Sequence, residues 1–476
     1  MGKTYYIAAI ELSSSKISGA VGVETFEGIK ILATASMPVN GFITKGVVRN
    51  VDETSKAITG IINVLEHNLG DKYKVSIKRA YTSLAGLSLH SVKSKVTKGF
   101  EDYTRISSGI IDELADENDK TFQCPAGYAR VRTIHQEYKL DGKIENNPVG
   151  ASARIIEGNY LNLIIKEQYL KQMKESFAEA ELDIEDSFSA ARIDGDTLLD
   201  KDMQRNGCAL VNIGADTTTI SIYTKGTLRM LNVLPLGCSN ITKDLCAEHI
   251  SYDEAEEILI TRGYKPSGNE TAAIVDSAIT NSIIYARMSE ILQNVKFRIE
   301  ESGEHVHHII FTGGGSKLKN LDLMLKELLP NFKTEIISEP QFNLISDSGV
   351  NVSGVTATLY GLLRQGKVNC CEEEVKTTPV ITEQAMFTND ELDFQEEKTQ
   401  EEQEPEISRE EKKRLEREER ERQKEEERVR KEAIRAQKQK EKEERKKNKK
   451  PNPVVSLFRD WFENATGEEE NENDND

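Results

Sequence analysis

The chain of 476 residues predicts an α/β protein of two or more domains followed by a polar tail. Three observations carry this expectation. Up to about Val368, β-branched runs alternate with amphipathic helical runs, as when strands are crossed by helices. Three strand-like runs lead into turns of glycine or small hydroxyl residues, within Ile7–Val21, Cys208–Tyr223 and Ile309–Leu318. From about Cys371 the composition becomes acidic and poor in core residues, too polar to repay the entropy of ordering.

Composition excludes several classes. The net charge is −18 with 30% charged residues, which argues against a general nucleic-acid binder, because a phosphate backbone rewards basic patches. No apolar run approaches the ~20 residues needed to span a bilayer. The start opens directly into the strand-like run Tyr5–Ile10 without a signal-peptide pattern, so the expected setting is the cytosol or the cytosolic face of a membrane. Cys124, Cys208, Cys238, Cys246, Cys370 and Cys371 form no CxxC pair and read as buried or incidental thiols. His305, His307 and His308 precede an apolar strand with no carboxylate or cysteine at ligand spacing, and read as structural rather than metal-binding.

In chain order, strands are expected at Ile7–Glu11, Lys16–Val23, Leu161–Ile165, Ala209–Ile213 and Thr218–Tyr223, with helices at Asp52–Leu69, Ser251–Thr261, Thr271–Glu301 and Leu318–Leu329. The first glycine- or hydroxyl-rich segment (IAAIELSSSKISGAV) reads strand, tight polar turn, strand. The second (CALVNIGADTTTISIY) repeats that form, and the third (IIFTGGGSKL) runs strand, three glycines, helix. Backbone amides and small hydroxyls in such turns can wrap a phosphate, glycines let the backbone approach closely, and a helix N-terminus favours anions. Singly each is a weak signal. In this order they point to a nucleotide, with a structural remnant of such a site as the alternative.

The tail has three parts. A linker runs from about Cys371 to Glu406. Ser408 and Glu411 then have capping-box spacing, and Glu410–Arg414, Glu416–Arg420 and Glu426–Arg430 are favourable i, i+4 pairs in a Glu/Lys/Arg tract. Leu415, Val429 and Ile434 are too sparse for a coiled-coil seam. The tract reads as a solvated helix reaching ~60 Å over about forty residues, or as a frayed tether. Finally, within Pro453–Asn464, Val454, Val455, Leu457, Phe458, Trp461 and Phe462 share one helical face. Such a face seeks a membrane interface, a partner's groove or the protein's own body. Lys446, Lys447, Lys449 and Lys450 upstream favour anionic lipid at ~1 kcal/mol each, and burying the face yields about 5–10 kcal/mol gross.

The three turn segments resemble the nucleotide-binding signatures of the actin/Hsp70/hexokinase superfamily. Between the first two, Arg132–Gly150 (RTIHQEYKLDGKIENNPVG) followed by Ala153–Glu157 is similar to the inserted subdomain of FtsA, a family of actin-like bacterial cell-division proteins. Asn240–Gly263 resembles that family's helical stretch after the second hairpin, and the terminal amphipathic helix is also a family trait. The resemblance covers about residues 5–365 and the last helix. The charged tract is not typical of the family.

The resemblance implies a two-lobed actin-like (ribonuclease H-like) α/β fold. It implies lobe one at 5–82 completed by about 346–368, an inserted subdomain at 83–163, lobe two at 164–345 with a helical part at about 242–302, a charged linker at 371–452, and a membrane-targeting helix at 453–464. The implied function is to anchor the ring of the division tubulin homologue (FtsZ) to the inner face of the cytoplasmic membrane at the division site, as a peripheral protein. ATP with Mg2+ would bind between the lobes, the protein would polymerise into an actin-like filament, and later septal proteins would be recruited. Implied nucleotide contacts are Ser14, Ser15, Lys16, Gly214, Asp216, Thr217, Glu256, Gly313, Gly314 and Gly315, with Glu11 and Asn212 near the metal. The family's acidic-x-Gly-Thr turn reads Glu11-Leu12-Ser13-Ser14 here, and its Asp-x-Gly-Gly-Gly-Thr reads Asn212-Ile213-Gly214-Ala215-Asp216-Thr217. Neutral Asn212 cannot act as a base, and Asp216 adds negative charge beside the expected phosphates. The expectation is nucleotide binding with slow or absent hydrolysis. The alternatives are a pilus-assembly adaptor of the PilM type and an active ATPase or kinase of the superfamily.

Overall fold

The computed structural model describes residues 5–265, 277–337, 344–347 and 349–373. The calls on the linker beyond Glu373, the charged tract and the amphipathic helix 453–464 lie outside the described residues.

The first sheet has six strands in the order Asp183–Ser189, Arg79–Leu84, Tyr6–Leu12, Lys16–Thr25, Gly28–Pro38, Ile345–Ser346. Tyr6–Leu12, Lys16–Thr25 and Gly28–Pro38 form an antiparallel meander. Arg79–Leu84 and then Asp183–Ser189 extend it in parallel. Ile7 to Ile10 are all buried, as expected of a central strand covered on both faces. One cover is the helix Val51–Tyr73, which begins where the Asn50 side chain accepts the Glu53 amide at 3.1 Å. It buries Ile58, Ile61, Leu65 and Leu69, a 3.6-residue stripe. Its regular course ends at Leu69, because Gly70 takes a φ of 54°. Helix Ala357–Gln365 also packs on this sheet and buries Leu359, Leu362 and Leu363.

The second large sheet repeats the plan. Thr227–Leu234, Thr218–Thr224 and Cys208–Ile213 form an antiparallel meander, followed by parallel His308–Thr312 and Lys333–Ile336. Parallel neighbours need crossovers, and here the crossover from Leu234 to His308 carries the helices Ser239–Cys246, Tyr252–Thr261 and Ser277–Glu301. Their apolar faces, with Leu321–Leu328, enclose a core of Ile220, Ile241, Ile284, Leu292, Phe311 and Met324.

Between Arg79–Leu84 and helix Glu167–Glu179 the chain leaves the first sheet. It forms a four-stranded antiparallel sheet of Lys143–Glu145, Tyr128–Leu140, Ser152–Lys166 and His90–Arg105, carrying helix Ser108–Thr121. The expected strand Leu161–Ile165 is one end of its 15-residue strand Ser152–Lys166. Leu161, Leu163 and Ile165 on that end pack against Leu210, Leu228, Leu231 and Ile310 of the second large sheet. Arg229, 7% exposed, donates to Gln136 at 3.2 Å and meets Glu137 at 3.4 Å, adding a buried polar tie to that apolar contact.

Three sequence boundaries need correction. The second lobe does not begin at 164. Helix Glu167–Glu179 packs on helix Val51–Tyr73 and buries Phe177 in the first core, and Asp183–Ser189 is a strand of the first sheet. The folded body does not stop short of Cys371. Cys371–Glu373 pairs antiparallel with Val75–Ile77, and Cys370 and Cys371 are buried. The helix expected from Leu318 starts at Leu321, after a 3-10 turn at Gly314–Lys317.

Candidate functional site

The site is built where the two meanders present their first turns. In the first, Ser13 closes the turn on itself. Its amide and hydroxyl donate to the Lys16 carbonyl at 3.1 and 2.7 Å. Ser14 Oγ accepts the Gly46 amide at 2.8 Å. Ser15 is exposed, and the Lys16 ammonium lies 3.5 Å from the Gly354 carbonyl.

The second turn is pinned from outside. The Cys238 and Ser239 amides donate to the Gly214 and Ala215 carbonyls at 3.1 and 2.7 Å, and the Gly214 amide donates to Thr217 O at 2.8 Å. The turn is thereby fixed to the start of helix Ser239–Cys246. Asp216 accepts the Lys45 amide of the first lobe at 3.0 Å through Oδ2. The sequence placed its charge beside phosphates; the structure gives it a partner across the lobes.

The three glycines differ. At Gly313, with φ 90°, a Cβ would come within 2.3 Å of Asn212 Oδ1 and 2.6 Å of the Ile213 carbonyl. At Gly315 it would strike Ile213 and Cys238, at 2.4 and 2.6 Å. Gly313 and Gly315 are therefore required by packing against the second hairpin. Gly314 has nothing within 4 Å of that position and opens into space, where a ligand could approach its backbone. Glu256 is exposed on helix Tyr252–Thr261, accepts from the Tyr252 hydroxyl at 3.3 Å and lies near Cys238. Burial chiefly, with the Glu256 charge, pushes the Cys238 thiol up to about 12.

At the lobe junction the structure adds a residue that the sequence reading missed. Asp194, 2% exposed on helix Ala190–Leu198, accepts from the Asn212 carboxamide at 2.9 Å and from the Thr358 hydroxyl at 2.6 Å. Asn212 belongs to the second lobe and Thr358 to a helix on the first sheet, so one carboxylate ties both. Burial raises Asp194 to about 6 against the lowering effect of those two bonds. Nearby, Glu11 accepts from the Thr356 hydroxyl. Burial raises Glu11 to about 7, and the Asp194 charge adds to the rise, while Thr356 and Lys16 oppose it. The available signal was a carboxylate at i, i+3, i+4 spacing with Ala191 and Gly195 on one buried helical face.

Glu11, Asn212 and Asp194 offer only oxygen and carboxamide donors; Asp194 bonds Asn212 and its charge is felt at Glu11, and Asn212 stands against Gly313 at the start of the glycine turn. That donor set fits a hard cation carrying a phosphate-bearing ligand. Glu11 and Asn212 would hold the cation side, and Gly314 with the two turns would hold the phosphate side. Asn212 is oriented by Asp194 rather than poised as a base. Asp194 is itself committed to two donors.

Two similar lobes, each a three-stranded meander extended by parallel strands and meeting at a polar junction, define a protein of the actin-like class. The PilM–PilN type IV pilus biogenesis complex shares this fold. It matches with a TM-score of 0.55 at 15% identity, over 75% of this chain and 98% of that one. In sequence, residues 209–346 match the family described as Cell division protein FtsA. The FtsA protein of Porphyromonas gingivalis is 29% identical over 343 residues, covering 68% of this chain and 70% of its own. That of Bacillus subtilis is 24% identical over 356 residues, covering 70% and 78%. In sequence the chain is thus similar to FtsA cell-division proteins over about two thirds of its length.

Proposed function

We propose that the protein tethers filaments of the division tubulin homologue to the inner face of the cytoplasmic membrane at the division site. ATP with Mg2+ binds at the lobe junction, chiefly as a structural ligand that fixes lobe closure for polymer contacts. The observation that supports this most is the junction itself. Glu11 bonds Thr356, and Asp194 bonds Thr358 and Asn212, whose side chain stands against Gly313 of the glycine turn. Bound Mg2+ would supply the positive charge that lets these carboxylates and phosphates share one cleft. Turnover is slow, because the side chain at position 212 is a neutral carboxamide held by Asp194.

The helical part at about 242–302 is the face offered to the tubulin homologue, and later septal proteins join the same assembly. Segment 453–464 is the membrane anchor and 374–452 its charged spacer. Among the described residues no helix is long and apolar enough to cross a membrane, which agrees with a peripheral attachment through Val454, Val455, Leu457, Phe458, Trp461 and Phe462. One such helix binds weakly, and many on one polymer hold by avidity.

Co-sedimentation with anionic liposomes tests the reading, using the full chain, a truncation after Asn452, and Trp461→Asp. The full chain should pellet and carry the tubulin homologue down with ATP present, and both variants should stay in the supernatant. Equal behaviour of all three would remove the anchor.

A further inference from the structure

The segment Ile43–Val48 belongs to the first lobe, where Ile43 and Val48 are part of the first core. Its tip is held in a narrow geometry. Lys45 has φ 53° and Gly46 φ 68°, both in the left-handed region. Gly46 is pressed against Gly86, where a Cβ on Gly86 would lie 2.6 Å from the Gly46 carbonyl oxygen and one on Gly46 would lie 2.7 Å from the Gly86 Cα. The Leu87 amide donates to the Lys45 carbonyl at 3.1 Å. The tip's carbonyl is thus held on the Gly86 side.

Its two consecutive amides are taken by the two hairpin turns. Gly46 N–H goes to Ser14 Oγ of the first turn at 2.8 Å, and Lys45 N–H goes to Asp216 Oδ2 of the second at 3.0 Å. Asp216 itself stands on a turn that is pinned by the Cys238 and Ser239 amides. A rigid donor in one lobe therefore meets a rigid acceptor in the other, and little side-chain freedom is lost in making the bond. Asp216 is half-buried, and its charge is felt by Tyr252 on the neighbouring helix.

We propose that Asp216 is a positioning residue that latches the second-lobe turn to the first-lobe tip Lys45–Gly46 and presets the width of the cleft before a ligand arrives. Building on the nucleotide reading, the latch also puts a carboxylate next to the cleft that receives a polyanion. Removing the charge while keeping the acceptor oxygen should then tighten nucleotide binding. Removing both should loosen the cleft.

Hydrogen exchange on the full-length, ligand-free protein tests the latch directly. Asp216→Ala should accelerate exchange of the peptide covering 42–48 by about tenfold, because an amide that loses its partner exchanges through smaller openings. Asp216→Asn keeps an acceptor for the Lys45 amide and should restore exchange to near the wild-type rate. Unchanged exchange in the strand Ser152–Lys166 would show that both variants are folded. Equilibrium binding of a fluorescent ATP analogue with Mg2+ should give weaker binding for the Ala variant and several-fold tighter binding for Asn. Unchanged exchange at 42–48 in Asp216→Ala would overturn the latch. If exchange behaves as expected but no form binds the analogue, the latch stands and the nucleotide reading falls.

Discussion

The two lobes use the same five-strand order but spend it differently. In the first, Ser13 closes the meander turn onto Lys16 within four residues, and the Gly46 and Val39 amides of the same lobe donate to Ser14 Oγ and the Ser15 carbonyl. In the second, the turn is held by everything around it: the Cys238 and Ser239 amides, and Gly313 and Gly315 packed against Asn212 and Ile213. The insertions differ as well. The first lobe places a separate sheet between its two parallel strands, while the second carries helices between its third and fourth. A common apolar pattern therefore builds both sheets, and the turns and crossovers give each lobe its own task.

If the second turn is the more deeply embedded, substitutions there should cost more. Gly313→Ala is expected to be the most damaging, at about 3 kcal/mol or more, because its Cβ meets a carboxamide oxygen and a backbone carbonyl at a positive φ. Gly314→Ala, one residue on, should stay within about 0.5 kcal/mol of wild type. Urea denaturation of the two variants checks the contrast, and equal midpoints would contradict it.

Next in size is the tie between the inserted sheet and the second lobe. Arg229→Ala leaves the half-buried Gln136 and Glu137 without their shared donor, while Glu137 keeps Lys225 at 3.3 Å, and should cost about 1–2 kcal/mol. Limited proteolysis should then open the strands Tyr128–Leu140 and Thr227–Leu234 together. Protection as in wild type would mean that the apolar contact alone suffices. In the first turn, Ser13→Ala removes two side-chain bonds, both to the Lys16 backbone, and should cost only about 1 kcal/mol, read from the same urea curves.

The smallest effect concerns the edge of the first sheet. Asp347 accepts from Lys72 and Tyr73 and pairs with Lys30 at 3.1 Å. These partners hold its carboxyl well below the usual carboxylate range. The sign follows: a depressed folded value gives stability that is present above the ordinary value of 3.8 and lost as pH falls toward the folded one. The group is exposed enough that salt and water weaken the effect. Asp347→Asn should flatten the acid limb of a stability–pH profile slightly. An identical limb would show that this cluster contributes nothing.

Much of this was legible in sequence because it rests on local pattern. The meander strands Tyr6–Leu12 and Cys208–Ile213 and the helix Val51–Tyr73 are strongly apolar on their buried sides, and their ends carry caps or turn residues. What was not legible depended on distant partners. The strand Asp183–Ser189 is mostly polar, with only Ile184 and Phe188 apolar, and is held as a strand by pairing with Arg79–Leu84. Cys371–Glu373 looked like the start of a linker, yet Val75–Ile77 offers it a sheet edge. At the site, Glu11, Asn212 and the glycine turn were readable, whereas Asp194 lies in a short helix with no recognisable motif. Its importance arises from Thr358, 164 residues away.

Hydrogen exchange of the full-length protein with and without Mg2+-ATP is the most direct test of a nucleotide shared by both lobes. Protection should appear together at 11–16, at 212–217 and at 312–316, with Glu11→Ala and Gly313→Ala abolishing it. Protection confined to one lobe, or none in the wild-type protein at saturating nucleotide, would contradict a ligand that joins them.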